Sequence, residues 1–221
     1  MDYLLHIDTS TDTGTVAICG DGAVLALRTN EEARNHAGAI NLMIQGVLDE
    51  AGINFAQLGG IAVCAGPGSY TGLRIGMATA KGLCYVLGIP LLLDNRLTLL
   101  AYQAYSSHPG YDKYLALIVA REREYFINIY DGNFDCMVIP QHIVEDQLVE
   151  VAGNLENSYM ITDALASEIY KSEVNNLVAD NNIKIDVKWW AFYAFRKYKC
   201  NDSVNLASAE PFYLKQVYTH K

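Results

Sequence analysis

Between an apolar run, Ile61 to Cys64, and a stretch of helical periodicity, the chain reads Gly66-Pro67-Gly68-Ser69-Tyr70-Thr71-Gly72. Gly66, Gly68 and Gly72 permit positive φ and close backbone approach, Pro67 stiffens the turn, and Ser69 or Thr71 can cap the first N–H groups of the helix. A strand, glycine-rich turn and helix start in this order suits an anion such as a nucleotide phosphate, because the first helical amides and the helix dipole both favour negative charge. The same residue types also build ordinary strand-to-helix turns, and both readings stay open at this level. A nucleophilic role for Ser69 is the weaker reading. Its frame is not Gly-x-Ser-x-Gly, no histidine neighbours it in sequence, and a capping hydroxyl needs no base.

Metal chemistry has little to work with. His6, His36, His108, His142 and His220 are scattered, and the five cysteines (Cys19, Cys64, Cys84, Cys136, Cys200) form no Cys-x-x-Cys pair. Odd in number and mostly set in apolar runs, these cysteines read as reduced thiols of a cytosolic protein. A net charge of −9 argues against a chain that grips nucleic acid by its own phosphate contacts. The N-terminus lacks a basic leader and no run of 18 apolar residues occurs, so neither secretion nor membrane spanning is expected.

The elements that must position these residues come in a repeated order. Residues 3 to 8, 14 to 19 and 22 to 29 read as strands. Ile40, Met43, Ile44, Val47, Leu48 and Ala51 then fall at helical spacing, with Gly52 as the stop. A strand (61 to 64), a helix (about 72 to 87), a strand (89 to 93) and a helix (96 to 106) complete a βββαβαβα set. After the turn-rich Ser106-Ser107-His108-Pro109-Gly110, three more strands are expected in 114 to 139, then a helix near 143 to 152, a strand at 158 to 162, a helix from about 164, a strand near 176 to 179 and a helix from about 187. Two βββαβαβα halves, 1–107 and 108–221, are the α/β pattern of the actin-like, sugar-kinase and Hsp70-ATPase (ASKHA) fold. In the last helix, positions 187, 190, 191, 194, 195 and 198 make a buried stripe and leave Trp189 and Tyr193 on its flank.

Such ATPases present Asp-x-Gly-Thr/Ser to the nucleotide after the first strand. Here the turn is Asp8-Thr9-Ser10-Thr11, and Ser10 stands in place of the glycine that lets backbone approach a phosphate. Asp8 is expected to accept hydrogen bonds from neighbouring backbone amides rather than to hold a metal. In the second half, the corresponding nucleotide turn reads Thr162-Asp163-Ala164 and also lacks glycine.

Three blocks resemble the TsaB (YeaZ) family. Leu5-His6-Ile7-Asp8-Thr9-Ser10-Thr11 is similar to its first strand. Gly66-Pro67-Gly68-Ser69-Tyr70-Thr71-Gly72-Leu73-Arg74-Ile75-Gly76, followed by Ala80-Lys81-Gly82-Leu83, is similar to its signature. Glu210-Pro211-Phe212-Tyr213-Leu214-Lys215 is similar to its closing segment. The chain departs from the family at Val119-Ala120-Arg121 and Glu124-Tyr125-Phe126, where relatives often carry Asp-Ala-Arg and Glu-Val-Tyr. It also lacks the His-x-x-x-His metal motif of the catalytic sister family, TsaD, since Ile40 stands four residues after His36; His36 is accordingly expected to be a capping or surface residue.

The resemblance implies a non-catalytic cytoplasmic subunit that supports TsaD in making N6-threonylcarbamoyladenosine at position 37 of tRNAs that read ANN codons. TsaC would make threonylcarbamoyl-AMP, TsaD would transfer the group as the heterodimer partner, and the ATPase TsaE would join the larger complex. RNA would be held through the complex, and a homodimer would form when the partner is absent. No cofactor would be tightly bound, with weak ATP or ADP binding confined to the complex. A vestigial nucleotide cradle would comprise Asp8, Thr9, Ser10, Gly66, Gly68, Ser69 and Thr71. Read alone, the first-helix stripe suits a core more than an interface, and the small residues of the second helix suit close packing within the chain or across an interface; the resemblance implies partner contacts from Ile40, Met43, Ile44 and Val47 on the first helix and Arg74, Gly76, Ala78 and Ala80 on the second. The alternative is a stand-alone actin-fold ATPase or kinase, or a hydrolase using Ser69.

Overall fold

The computed structural model describes residues 1–32, 35–163 and 177–214. The helix expected from about 164 lies outside them. The chain divides into two compact units, Met1–Asn95 with Val187–Phe212, and Arg96–Asp186 with Tyr213–Lys221.

In the first unit, strands β1 (Tyr3–Asp8), β2 (Gly14–Gly20), β3 (Ala23–Asn30), β4 (Leu58–Cys64) and β5 (Leu91–Asp94) form a sheet in the order β3-β2-β1-β4-β5. β1 runs antiparallel to β2 and parallel to β4. Because side chains alternate along a strand, each strand feeds two layers. Leu5 and Ile7, Val16 and Ile18, and Ile61 and Val63 join a core with helices α1 (His36–Ala51) and α2 (Tyr70–Leu87). From the opposite positions, Ala17 and Cys19 meet Val187 and Ala191 of α5 (Val187–Lys199), and His6 meets the edge of Trp190 at 4.9 Å between ring centroids.

The second unit repeats the topology. Strands β6 (Lys113–Arg121), β7 (Glu124–Asp131), β8 (Cys136–Val144), β9 (Ser158–Thr162) and β10 (Leu177–Asp180) stand in the order β10-β9-β6-β7-β8, with β6 antiparallel to β7 and parallel to β9. Tyr114, Ala116 and Ile118 pack with Leu97, Leu100 and Ala104 of α3 (Arg96–Ser107). Leu115 and Leu117 share the other layer with Leu148 and Ala152 of α4 (Glu145–Ala152).

The units do not follow a single cut between 107 and 108. The last helix of each sequence half belongs to the other unit: α3 buries its apolar stripe among Tyr114, Ile118 and Tyr159, and α5 buries Val187 and Ala191 on β2. Loop composition marks where the chain turns but does not reveal which sheet an amphipathic helix covers. On α5, Val187, Trp190, Ala191 and Ala194 are buried, and Phe195 and Tyr198 are half-buried.

Candidate functional site

β4 ends at Cys64 and the glycine-rich turn delivers the chain into α2, where the Ser69 side chain accepts from the Gly72 amide at 3.2 Å. The turn is occupied by the chain itself. The first hairpin, Asp8-Thr9-Ser10, lies directly against it and is almost wholly buried. The Ser69 amide donates to the Ser10 carbonyl at 2.8 Å, and the Thr9 hydroxyl donates to the Gly72 carbonyl at 2.7 Å. A Cβ on Gly68 would overlap the Ser10 carbonyl, one on Gly72 the Thr9 carbonyl, and one on Gly76 the Thr9 hydroxyl. Of the turn's three glycines only Gly66 takes positive φ, at 103°, while Gly68 and Gly72 serve close approach. At Gly68 and Gly72 that approach is made by the backbone of the first hairpin.

The residues expected to form a cradle are therefore brought together, but as an interlock. The Asp8 carboxylate accepts from the Ser10 amide at 2.8 Å and Ser10 packs beside the Cys64 thiol, whereas Thr71 is exposed. The closing segment reinforces the same corner. The Phe212 amide donates to the Ala65 carbonyl at 2.8 Å, one residue before the glycines, and the Lys81 ammonium donates to the Ala209 carbonyl at 2.9 Å. In the second unit, the Asp163 carboxylate accepts from the Val119 amide at 2.9 Å and ties the end of β9 to β6.

His36 is buried rather than on the surface. Its Nε2 lies 2.9 Å from the Thr11 carbonyl, and Ile40, where a second imidazole would be needed, is 3% exposed and packed in the core. Among the described residues no three His, Cys, Asp or Glu side chains converge on one point, and no histidine bonds Ser69. Burial pushes the Cys19 and Cys84 thiols up to about 12, which leaves them protonated and inert at neutral pH.

The expected partner residues fall on two sides. Ile40, Met43, Ile44, Val47, Gly76 and Ala80 are buried in the first unit, against the expectation that they form an interface, because the stripe that makes these helices amphipathic is what seats them on the sheet. Arg74 and Ala78 are exposed, the Arg74 guanidinium lying over the Tyr70 ring at 4.3 Å. The residues that extend this outward face are others: Tyr85 and Val86 are each 80% exposed and Leu42, on α1, is 75% exposed. A signal for them was present. Once Leu73, Met77, Ala80 and Cys84 are assigned to the buried stripe, Arg74, Ala78, Gly82 and Tyr85 repeat at three- and four-residue steps on the other side, so that large apolar residues appear out of phase with the core.

Comparison with known proteins agrees with this architecture. A family model described as TsaD, tRNA N6-adenosine threonylcarbamoyltransferase, matches residues 24–190. The Haemophilus influenzae tRNA threonylcarbamoyladenosine biosynthesis protein TsaB is 27% identical over 87% of this chain and 75% of its own length. The Escherichia coli TsaB is 30% identical over 68% of each. A Pseudomonas aeruginosa crystal structure described as similar to peptidase YeaZ superposes with a TM-score of 0.80 at 25% identity, covering 97% of this chain and all of that one. A Bacteroides thetaiotaomicron protein of actin-like ATPase fold shares the fold alone, at a TM-score of 0.50 and 11% identity over 87% of this chain and 96% of that one. The fold is the actin-like α/β fold, and the chain belongs to the TsaB (YeaZ) family.

Proposed function

We propose that this chain is the non-catalytic subunit that supports TsaD in threonylcarbamoyl transfer to adenosine 37 of ANN-decoding tRNAs. The observation that supports the reading is the interlock of Gly68 and Gly72 with Ser10 and Thr9, which sets the chain's own backbone against glycines expected to cradle phosphate. A chain whose glycine turn is engaged by its own hairpin, and which has Ile40 in its core in place of a second metal-binding imidazole, has little to offer as an enzyme. It does have a surface. The exposed side of α1 and α2, with Leu42, Arg74, Ala78, Tyr85 and Val86, supports heterodimerisation with TsaD, and a homodimer through the same face when TsaD is absent. TsaE and tRNA would join through that heterodimer in the cytoplasm, and any ATP or ADP would bind weakly and only there. No helix among the described residues is long and apolar enough to cross a membrane.

The test is reconstitution. TsaD, threonylcarbamoyl-AMP and an ANN-decoding tRNA are incubated with and without this chain, and modified adenosine is measured. Modification that depends on the chain, together with no transfer by the chain alone, supports the reading. Transfer or steady ATP turnover by the purified chain overturns it in favour of a stand-alone enzyme.

A further inference from the structure

α1 and α2 rest on one layer of the first sheet through Ile40, Ile44, Val47, Met77, Ala80 and Cys84. Apolar packing of this kind is strong but not directional, so it holds a helix down without fixing its rotation or its slide along the strands. Directional bonds can fix both, and one short turn supplies them to both helices. Thr9 and Ser10 grip the start of α2: the Thr9 hydroxyl donates to the Gly72 carbonyl, the Ser10 carbonyl accepts from the Ser69 amide, and Gly76 has no Cβ where the Thr9 hydroxyl sits. The next residue reaches α1. The Thr11 carbonyl lies 2.9 Å from Nε2 of His36, the first residue of that helix, whose side chain is buried.

A carbonyl oxygen only accepts, so Nε2 carries the hydrogen of this bond. Nδ1 is buried with no hydrogen-bond partner among the described residues and lies against Gly14, where an added Cβ would stand 2.9 Å from it. Gly14 takes no left-handed φ, so what this position needs from glycine is space. The start of α1 has no side-chain cap to do the same work. Asn35 stands at the N-cap without a side-chain bond to the helix and donates to Glu32 instead, whereas Ser69 caps α2.

We propose that His36 is a positioning residue for the α1 and α2 face. Seated in the slot that Gly14 leaves and bonded to Thr11, it sets α1 against the same turn that holds α2, and so fixes the placement of Leu42 on α1 relative to Ala78 and Tyr85 on α2. A rotation of α1 by about 10° carries an outward side chain through about 1 Å, which a close-packed contact feels. The consequence for a partner rests on the proposed TsaD contact; the positioning itself does not.

The experiment measures the two separately. With the exposed Cys136 and Cys200 replaced by serine, nitroxides are attached at Leu42→Cys and Ala78→Cys, both solvent-exposed positions, and their dipolar coupling is recorded in the isolated full chain. TsaD affinity is measured on the unlabelled proteins at a temperature where each is fully folded. His36→Ala and Gly14→Ala should each shift or broaden the distance and weaken TsaD binding about tenfold. His36→Gln, which keeps an N–H for the Thr11 carbonyl, should stay near wild type in both. Gly14→Ala should add little in a His36→Ala background, because it acts through the ring. Should His36→Ala fail to fold, Gly14→Ala and His36→Gln carry the comparison. An unchanged distance in Gly14→Ala, effects of the two alanines that simply add, or a His36→Gln protein as altered as Gly14→Ala overturns the proposal. So does TsaD binding that holds while the distance shifts. Shifted distances in variants of a chain that, as wild type, does not bind TsaD would uphold the positioning and remove the partner reading instead.

Discussion

Ala78 and Ala80 lie two residues apart on α2 and on opposite sides of it, Ala78 exposed and Ala80 fully buried. An arginine at each position asks a different question. Ala80→Arg forces a long cation into the core of the first unit and should cost several kcal/mol, at about 3 or more, so the isolated protein melts early or fails to fold. Ala78→Arg should leave the melt within about 0.5 kcal/mol of wild type and, on the proposed function, weaken TsaD binding by about thirtyfold or more through a charge buried at the contact. Thermal melts and co-purification with TsaD check both. Normal binding by Ala78→Arg removes this face from the interface.

The glycines of the signature helix separate in the same way. Gly72→Ala drives a methyl into the Thr9 carbonyl, which is backbone and cannot swing aside, and should destabilise the first unit by about 1–3 kcal/mol. Gly82→Ala meets nothing within 4 Å and should stabilise α2 by about 0.5–1 kcal/mol. Urea unfolding midpoints of the two variants should therefore move in opposite directions.

These pairs mark how far the sequence could be read. Alternation in Leu4-Leu5-His6-Ile7 and the helical step of Ile40, Met43, Ile44 and Val47 are local signals, and they predict β1 and α1 within a residue or two of where they lie. The glycine turn was equally visible, as was the capping role of Ser69. Its contact partner was not, because Gly72 and Thr9 are 63 residues apart and the parallel pairing of β1 with β4 is what brings their segments together. The stripe on α1 reads by itself as core, and only the family resemblance points it to a partner; an amphipathic helix beside a sheet satisfies that stripe first within its own unit. The exchange of α3 and α5 between units was illegible for a related reason: periodicity gives a helix its buried face but does not identify the sheet it meets.

His6 supplies a pH dependence. It is fully buried, and that burial, outweighing a backbone hydrogen bond with Leu4, pulls its pKa down from 6.5 to about 4. The unfolded chain therefore binds this proton at a higher pH than the folded one. Stability from neutral His6 is fully present above about 6.5 and is lost as pH falls toward 4, by an amount on the order of 3 kcal/mol. Urea midpoints measured between pH 7.5 and 4.5 should fall for the wild type. In His6→Leu, which removes the titrating group, the fall should be clearly smaller; an identical slope would place the acid sensitivity elsewhere.

On the proposed function, Tyr85 and Val86 would connect the homodimer to the heterodimer. Both are 80% exposed at the end of α2, on the side away from the core, beside no charged residue of their own helix nearer than Lys81. Two large apolar side chains so exposed favour burial against another surface, at about 1.5–3 kcal/mol for each one fully covered. If one face serves both associations, they must compete. The isolated chain should then sediment with a concentration-dependent mass, and adding TsaD should replace the homodimer with a one-to-one complex rather than build a larger assembly. Tyr85→Glu should abolish both associations together while the melting temperature stays within a few degrees of wild type. A variant that keeps TsaD but loses the homodimer, or the reverse, would show that the two contacts use different surfaces, and would leave Ala78 and Arg74 as the residues with which to look for the second.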